Sequence, residues 1–358
     1  MDAIDAMMRK HVHRLSLASD STSRRNACAT IKSLAFDDSN FEALLGTEVI
    51  EALVRSLTIG VDTEDIALVR LASDALWSLS ADKGHRDVMI MNAGVVPLLS
   101  RMLLLRWYPS IAETAAATIS NMIDLQKGFP KEVMRSLQGA GGVEGLVELL
   151  PVGAPPPHKE EAEGASSVAV TLAALAIDPA ISDAIRKKGG VPRLVEMLRA
   201  GARSADARHA AAALARMAHN NGANQAAIRE AGGISAILDL CEESLTTLAS
   251  GPLVSEGVQQ AAQHGAAALW VLAADPGCLA EITSPDRNGL QALASMVSGR
   301  LGPKAEGNAA GALSAILSGL RSSRAMSECD PSSVLADFGY ESLLRAATPS
   351  WSPTPERA

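Results

Sequence analysis

The sequence predicts an all-α protein that is built from about seven stacked helical repeats. Three observations lead to this fold class: the composition, a recurring alanine-rich phrase, and regularly placed glycine breaks. The chain has 358 residues, of which 63 are alanine and only 10 are aromatic (four Phe, four Trp and two Tyr). Alanine is the best helix former and is depleted in strands. A chain of this length would otherwise divide into two or three domains, but we expect stacked repeats to form one body.

Residues 1–20 are predicted to form a capping helix at the amino-terminal end of the stack. Ile4, Met7, Met8, Val12 and Leu15 recur at helical spacing, so one face of this segment is apolar. Basic residues lie between them, which also fits an amphipathic helix on a membrane surface. We favour the cap, because the stretch is short and two acidic residues precede the basic ones.

An alanine-rich phrase of six residues identifies each repeat. The copies are Thr30–Ala35, Ala75–Ser80, Thr118–Ile123, Thr171–Ala176, Ala213–Ala218, Ala268–Ala273 and Ala312–Leu317. The fourth residue of each copy is used below as its reference position: Ser33, Ser78, Asn121, Ala174, Arg216, Val271 and Ala315. Successive reference positions are 42 to 55 residues apart. Such a period is typical of helical repeat arrays.

Two of the intervals are long because each contains an insertion ahead of its alanine helix. The insertions are predicted near residues 151–165 and 243–257. Both occupy the same place in their repeats, so we expect them to project from one side of the stack.

A glycine break opens the apolar helix that precedes the alanine helix. It is clearest in KKGGVPRLVEML (Lys187–Leu198) and REAGGISAILDL (Arg229–Leu240). Together with ALWVLA at Ala268–Ala273, these phrases resemble armadillo repeats. The resemblance covers residues 21–347 and implies a right-handed α-solenoid of the armadillo or HEAT-like type, with three helices in each repeat. Asp337–Ala347 resembles a terminal half-repeat, and the proline-rich residues 348–358 are predicted to be a disordered tail.

Charge and cysteine content exclude several classes of function. Lys and Arg total 32 against 40 Asp and Glu, and the net charge of −8 opposes binding to nucleic acid or to an anionic membrane. The sequence contains no stretch of 18 apolar residues, so we predict no insertion into a membrane. The four cysteines are widely separated, which favours a reducing cytoplasmic location, with the nucleus or a cilium as alternatives.

Motifs of catalysis are missing from the sequence. It contains no GxSxG elbow, no phosphate-binding loop and no HExxH motif. We therefore predict that the protein is not an enzyme, has no cofactor or metal site, and takes no small-molecule substrate.

The resemblance implies that one face of the alanine helices lines a concave groove. Peptide-binding members similar to importin-α carry Asn at the reference position and Trp four residues earlier. Only Asn121 matches, and no tryptophan stands at the earlier position. Trp77 and Trp270 lie one residue before their reference positions and are predicted to be buried. Importin-type recognition of nuclear signals is therefore not expected.

Polar residues recur seven positions before the reference position, two helical turns back on the same face. One interpretation is a solvated groove wall, and the other is a ladder of contacts to a partner. The second interpretation predicts a partner-binding groove at Thr114, Asn121, Ser167, His209, Arg216, His219, His264 and Asn308. His209, Arg216, His219 and His264 suit an acidic or phosphorylated partner. The small residues beyond them, at Ala267, Val271, Gly311 and Ala315, suit a helix or apolar side chains.

These observations predict a non-catalytic scaffold or adaptor that binds one or more proteins along the groove. A permanent structural subunit of a larger assembly, for example a ciliary or cytoskeletal one, is the first alternative. An enzyme on a helical-repeat scaffold is the second, and it lacks any recognised reaction motif.

Overall fold

The computed structural model describes residues 2–105, 108–123, 131–152, 159–249, 255–297 and 301–322. Within these ranges the regular secondary structure is α-helical, apart from two short 3₁₀ turns, and contains no strand. The prediction of an all-α protein is confirmed. The predicted half-repeat at 337–347, the tail at 348–358, and the central parts of both insertions lie outside the described residues.

The contacts divide the chain after Leu149 into two units, which are described in turn. The helices of the first unit are α1 Asp2–Leu17, α2 Ser21–Ala35, α3 Phe41–Leu45, α4 Val49–Asp62, α5 Ile66–Leu79, α6 Lys83–Met91, α7 Val95–Leu103, α8 Pro109–Met122, α9 Lys131–Gly139 and α10 Gly142–Leu149. A 3₁₀ turn at Asp38–Asn40 precedes α3.

The second unit repeats the same order of helices. They are α11 Lys159–Leu175, α12 Pro179–Lys187, α13 Gly190–Leu198, α14 Ala205–Ala218, α15 Gly222–Glu230, α16 Gly233–Ala249, α17 Glu256–Leu272, α18 Pro276–Ile282, α19 Gly289–Val297 and α20 Pro303–Ser322. The second 3₁₀ turn lies at Pro285–Arg287.

The alanine-rich phrases all lie at or near the carboxyl ends of long helices, and these alanine helices pack side by side. In the first unit α2 packs on α5 and α5 on α8, and in the second unit α11, α14, α17 and α20 follow one another in the same way. A parallel row is formed by α4, α7 and α10, and by α13, α16 and α19. Alanines fill the contacts between neighbours, and in α14 residues Ala210, Ala211 and Ala213 have no exposed surface. Small side chains let the helix axes approach closely, so each repeat buries the apolar face of the next.

Each glycine break consists of two adjacent residues in the turn before the second helix of a repeat. Gly189 and Gly232 have φ values of +79° and +74°, a left-handed conformation that favours glycine. The second glycine of the pair is required by packing, because a Cβ at Gly233 would lie 2.6 Å from Cγ2 of Ile228. At the corresponding turn before α19, Asn288 adopts the left-handed conformation and Gly289 begins the helix.

The second predicted insertion is helical over its first seven residues. Helix α16 continues to Ala249 and has 17 residues, whereas its counterpart α13 has 9. Glu243, where the insertion was predicted to begin, accepts a hydrogen bond on Oε2 from the backbone N–H of Ala202, at 3.0 Å. This part of the insertion therefore packs against the preceding repeat.

Buried amides of α15 connect the carboxyl ends of neighbouring alanine helices. The Nδ2 group of Asn224 donates to Ser182 Oγ at 2.7 Å and to the carbonyl oxygen of Met217 at 2.9 Å, and its Oδ1 accepts from Arg186 Nε at 2.8 Å. Gln225 Nε2 donates to the carbonyl oxygens of Ala218 and Val271, at 3.0 and 3.3 Å. Because the last carbonyls of a helix have no partner within it, these amides satisfy groups that packing has removed from water.

In the first unit His85, the third residue of α6, corresponds to Asn224, the third residue of α15. Its side chain is completely buried, its Nδ1 lies 2.9 Å from Asp82 Oδ2, and its ring meets Phe41 edge to face. Burial lowers the pKa of His85, and the hydrogen bond and charge of Asp82 oppose that shift only in part. His85 is therefore neutral in the folded protein at pH 7.

We expect Ala211→Leu to destabilise the second unit by about 1–3 kcal/mol, because three extra carbon atoms overfill a contact that has no free space. Urea denaturation followed by circular dichroism measures the change. Ala223→Leu is the matched control, since Ala223 lies on α15 and is exposed. Equal effects of the two substitutions would contradict the packing argument.

We expect Asn224→Leu to lower the free energy of unfolding by about 1–3 kcal/mol, because its bonded partners lose their hydrogen bonds while staying buried. The same denaturation experiment applies, with the exposed Asn26 changed to Leu as the control. If Asn224→Leu were neutral, the amide would contribute nothing to joining the repeats.

Candidate functional site

A stripe of partly exposed residues runs along each alanine helix, whereas the alanines that contact neighbouring helices are buried. This polar stripe consists of the reference positions and the residues seven places before them. Its members in the first unit are Asn26, Ser33, Leu71, Ser78, Thr114 and Asn121. Its members in the second unit are Ser167, Ala174, His209, Arg216, His264, Val271, Asn308 and Ala315, of which only Ala174 is buried. Each predicted groove residue is thus at least partly exposed, and His219 is fully so.

In the first unit the polar stripe also joins neighbouring repeats. Asn121 Nδ2 donates to Ser80 Oγ at 2.9 Å, and Ser78 Oγ donates to the carbonyl oxygen of Ala35 at 2.6 Å. Each bond runs from one alanine helix to the carboxyl end of the preceding one. Thr114 Oγ1 donates to the carbonyl oxygen of Ser110 in its own helix, at 2.9 Å. Asn121 therefore has a structural role, in addition to its predicted role in the groove.

The prediction that Trp77 is buried is wrong. Its side chain is 40% exposed and meets Phe36 of the preceding repeat edge to face, with ring centroids 6.2 Å apart. Trp270, at the same position of its helix, is partly buried. Gly311 of α20 lies against it, and a Cβ there would come within 2.8 Å of the indole. The residue of α8 in the place of Gly311 is Ala117.

The second unit carries most of the predicted groove residues. His209 and Arg216 lie on α14, His264 lies on the adjacent α17, and Asn308 lies on α20 beyond it. Asn308 Nδ2 donates to the carbonyl oxygen of Gln263 at 3.0 Å, so it joins two repeats as Asn121 does. His219, just past the end of α14, pairs its Nε2 with Asn220 Nδ2 at 3.1 Å.

Burial lowers the pKa of His209 to about 4, and the nearby positive charge of Arg208 adds to the shift. The ring is therefore neutral at pH 7. This changes the electrostatics expected from the sequence, because His209 offers hydrogen bonds and no charge to a partner. The fixed positive charges of α14 belong to Arg208, near the start of the helix, and to Arg216, in its last turn.

No protein-family model and no curated protein matches the chain. Solved structures do. An engineered protein is 24% identical and covers 98% of this chain and 77% of its own, with a TM-score of 0.71. A designed armadillo repeat protein in complex with the peptide (KR)4 is 20% identical over 74% of this chain and 99% of its own, with a TM-score of 0.53.

The chain has an armadillo-like repeat fold. A further similar structure, Uso1-2, is 12% identical and covers 88% of this chain and 51% of its own, with a TM-score of 0.66. In this armadillo-like fold the alanine helices are the third helices of their repeats. The similarity confirms the predicted class of an all-α repeat solenoid.

Arg208 borders the polar stripe and was missed by the sequence analysis. It precedes the reference position Arg216 by eight residues, which places it about 80° around α14 from Arg216, on the flank of the polar stripe. Its Nε is buried and has no hydrogen-bond partner among the described residues. The signal in the sequence was the spacing of the two arginines, but the missing partner is visible only in the structure.

The described residues contain no group of three or more His, Cys, Asp or Glu side chains that are placed to hold a metal ion. In the same ranges, none of the helices has the length and apolar character needed to cross a membrane.

We expect His209 to make the protein less stable as the pH falls below about 6.5. The unfolded chain binds a proton near pH 6.5 and the folded chain only near pH 4, so stability is lost between these values, by about 2 kcal/mol at pH 5. Replacing His209 with Gln removes this contribution, while His85 still acts in the same direction. Denaturation of both proteins at pH 7 and pH 5 measures the difference, and identical pH dependence would contradict the burial of His209.

Proposed function

We propose that the protein is a non-catalytic scaffold that holds a protein partner along the polar stripe of its alanine helices. The observation that carries the proposal is the contrast in burial. The alanines beside the stripe are closed off by neighbouring helices, while the stripe keeps hydroxyl, amide, imidazole and guanidinium groups in contact with solvent.

The similar designed armadillo protein supports this assignment, because that protein is in complex with a peptide. The net charge of −8 favours a protein partner over nucleic acid. Cys28, Cys241 and Cys278 are buried free thiols, which supports the predicted reducing, cytoplasmic location.

Affinity capture with a stripe variant tests the proposal. We expect the triple substitution of His209, Arg216 and His264 by Ala to reduce recovery of the native partner at least tenfold, since it removes the polar groups of two adjacent repeats. The control is the triple substitution of Lys187, Lys188 and Arg203 by Ala, because these exposed residues lie outside the alanine helices and their loss removes more positive charge than the stripe variant, in which His209 is neutral. Circular dichroism establishes that both variants are folded.

A stripe variant that retained every partner of the unchanged protein would refute the proposal. The size of the native complex decides between an adaptor and a permanent subunit. An adaptor is found both free and bound in gel filtration of native extract, whereas a permanent subunit is found only at the size of its assembly.

A further inference from the structure

Arg208 is a partly buried cation without a partner in the described residues. Its Nε is buried and makes no hydrogen bond, and no described carboxylate forms an ion pair with it. Asp206 is near enough to interact through charge, but its own burial raises the pKa of Asp206. Glu256 is exposed, and its Oε1 accepts a hydrogen bond from Gln260 Nε2 at 3.1 Å. A guanidinium left this way loses hydration without gaining an acceptor, which is unfavourable.

In the first unit the arginine at the corresponding position is paired with a carboxylate. Arg25 of α2 also stands eight residues before its reference position, and its Nε lies 2.9 Å from both carboxylate oxygens of Asp65. Asp65 caps the amino terminus of the next alanine helix, α5. In the second unit the next alanine helix has the neutral cap Ser255, followed by Glu256 and Gly257. The exposed Glu256 bonds to Gln260, so no carboxylate makes the contact with Arg208 that Asp65 makes with Arg25.

A backbone surface takes the place of that carboxylate. A Cβ at Gly257 would lie 2.5 Å from Arg208 Nη1, so the guanidinium lies directly against the first turn of α17. The guanidinium therefore has backbone atoms beside it in place of a carboxylate, and an anion from outside would supply the missing acceptor.

The next two helices offer a different surface. Trp270 and Val271 of α17 are partly exposed, and the Trp270 ring lies against Gly311 of α20. The Arg208 guanidinium lies against Gly257, and Trp270 stands 13 residues later on the same helix, which is about 20 Å along the helix axis. An extended peptide spans that separation in roughly six residues.

We propose that the second unit binds an extended acidic peptide segment, with a carboxylate side chain at Arg208 and a large apolar side chain roughly six residues away at Trp270. This inference rests on the proposed function, because it names the partner chemistry for one part of the same stripe. The partner carboxylate takes the place that Asp65 occupies beside Arg25. The apolar side chain covers the exposed part of the indole.

Selection from a random twelve-residue peptide library on the full chain tests the inference. We expect the retained peptides to carry Asp or Glu roughly six residues from Leu, Ile, Phe or Trp. Synthetic copies should lose roughly 10- to 100-fold in affinity when that acid is replaced by its amide, because a charge-assisted hydrogen bond is lost. Arg208→Gln should cause the same loss. Arg70→Gln, the matched control, removes an exposed arginine at the same position of α5 and should leave affinity unchanged.

A second variant guards against a folding defect in Arg208→Gln. Gly257→Asp supplies the missing carboxylate from within the chain, at a helix position where an acidic residue is favourable. Only the mobile end of Arg208 has to shift to admit it. We expect Gly257→Asp to raise the midpoint of thermal unfolding while it weakens the selected peptides at least tenfold.

The outcomes separate this inference from the function on which it rests. Peptides that bind the stripe without an acidic residue, and that ignore both Arg208→Gln and Gly257→Asp, would overturn the inference and leave the scaffold function standing. If all retained peptides were unaffected by the triple substitution of His209, Arg216 and His264, the proposed use of the stripe would fail as well.

Discussion

The close approach of alanine helices is the constraint on which the rest of the structure depends. Neighbouring third helices meet through side chains of a single carbon, such as Ala72 and Ala75 in the first unit and Ala211 and Ala262 in the second, all fully buried. A single methyl group buries little apolar area by itself. Stability therefore comes from repetition, with each repeat covered by its neighbours. The same close spacing leaves one face of each helix uncovered, and that face is the polar stripe.

Close packing creates a second requirement, because it removes polar backbone groups at the helix ends from water. Aspartates begin several helices, as Asp82, Asp178 and Asp275 do for α6, α12 and α18. The amides of Asn224 and Gln225 satisfy carbonyl groups at the opposite ends. Arg25 and Asp65 likewise satisfy each other across two neighbouring repeats. The buried Nε groups of Arg208 and Arg229 depart from this pattern in the described residues, and of the two only Arg208 lies on an alanine helix, beside the polar stripe.

The fold was predictable from the sequence because its signals are local. The alanine content predicted helices, and the glycine pairs predicted the turns between them. Gly190 and Gly233 begin α13 and α16, as those phrases indicated. The exposure of Trp77 was not predictable. It depends on packing against neighbouring repeats, such as the contact with Phe36, and no periodicity in a single helix reveals that. The neutral state of His209 and the unpaired guanidinium of Arg208 likewise depend on burial by neighbouring repeats.

The buried thiols allow the local opening of each unit to be measured separately. Burial raises the pKa of Cys28 to about 11 and that of Cys241 and Cys278 to about 12, so in the closed protein these sulfurs are neutral, shielded and slow to react. Cys28 belongs to the first unit, and the other two belong to the second. An alkylating reagent reaches each thiol only when the helices around it separate. The rates of labelling at Cys28 and Cys241 therefore measure, in one native sample, how often the helices around each thiol separate.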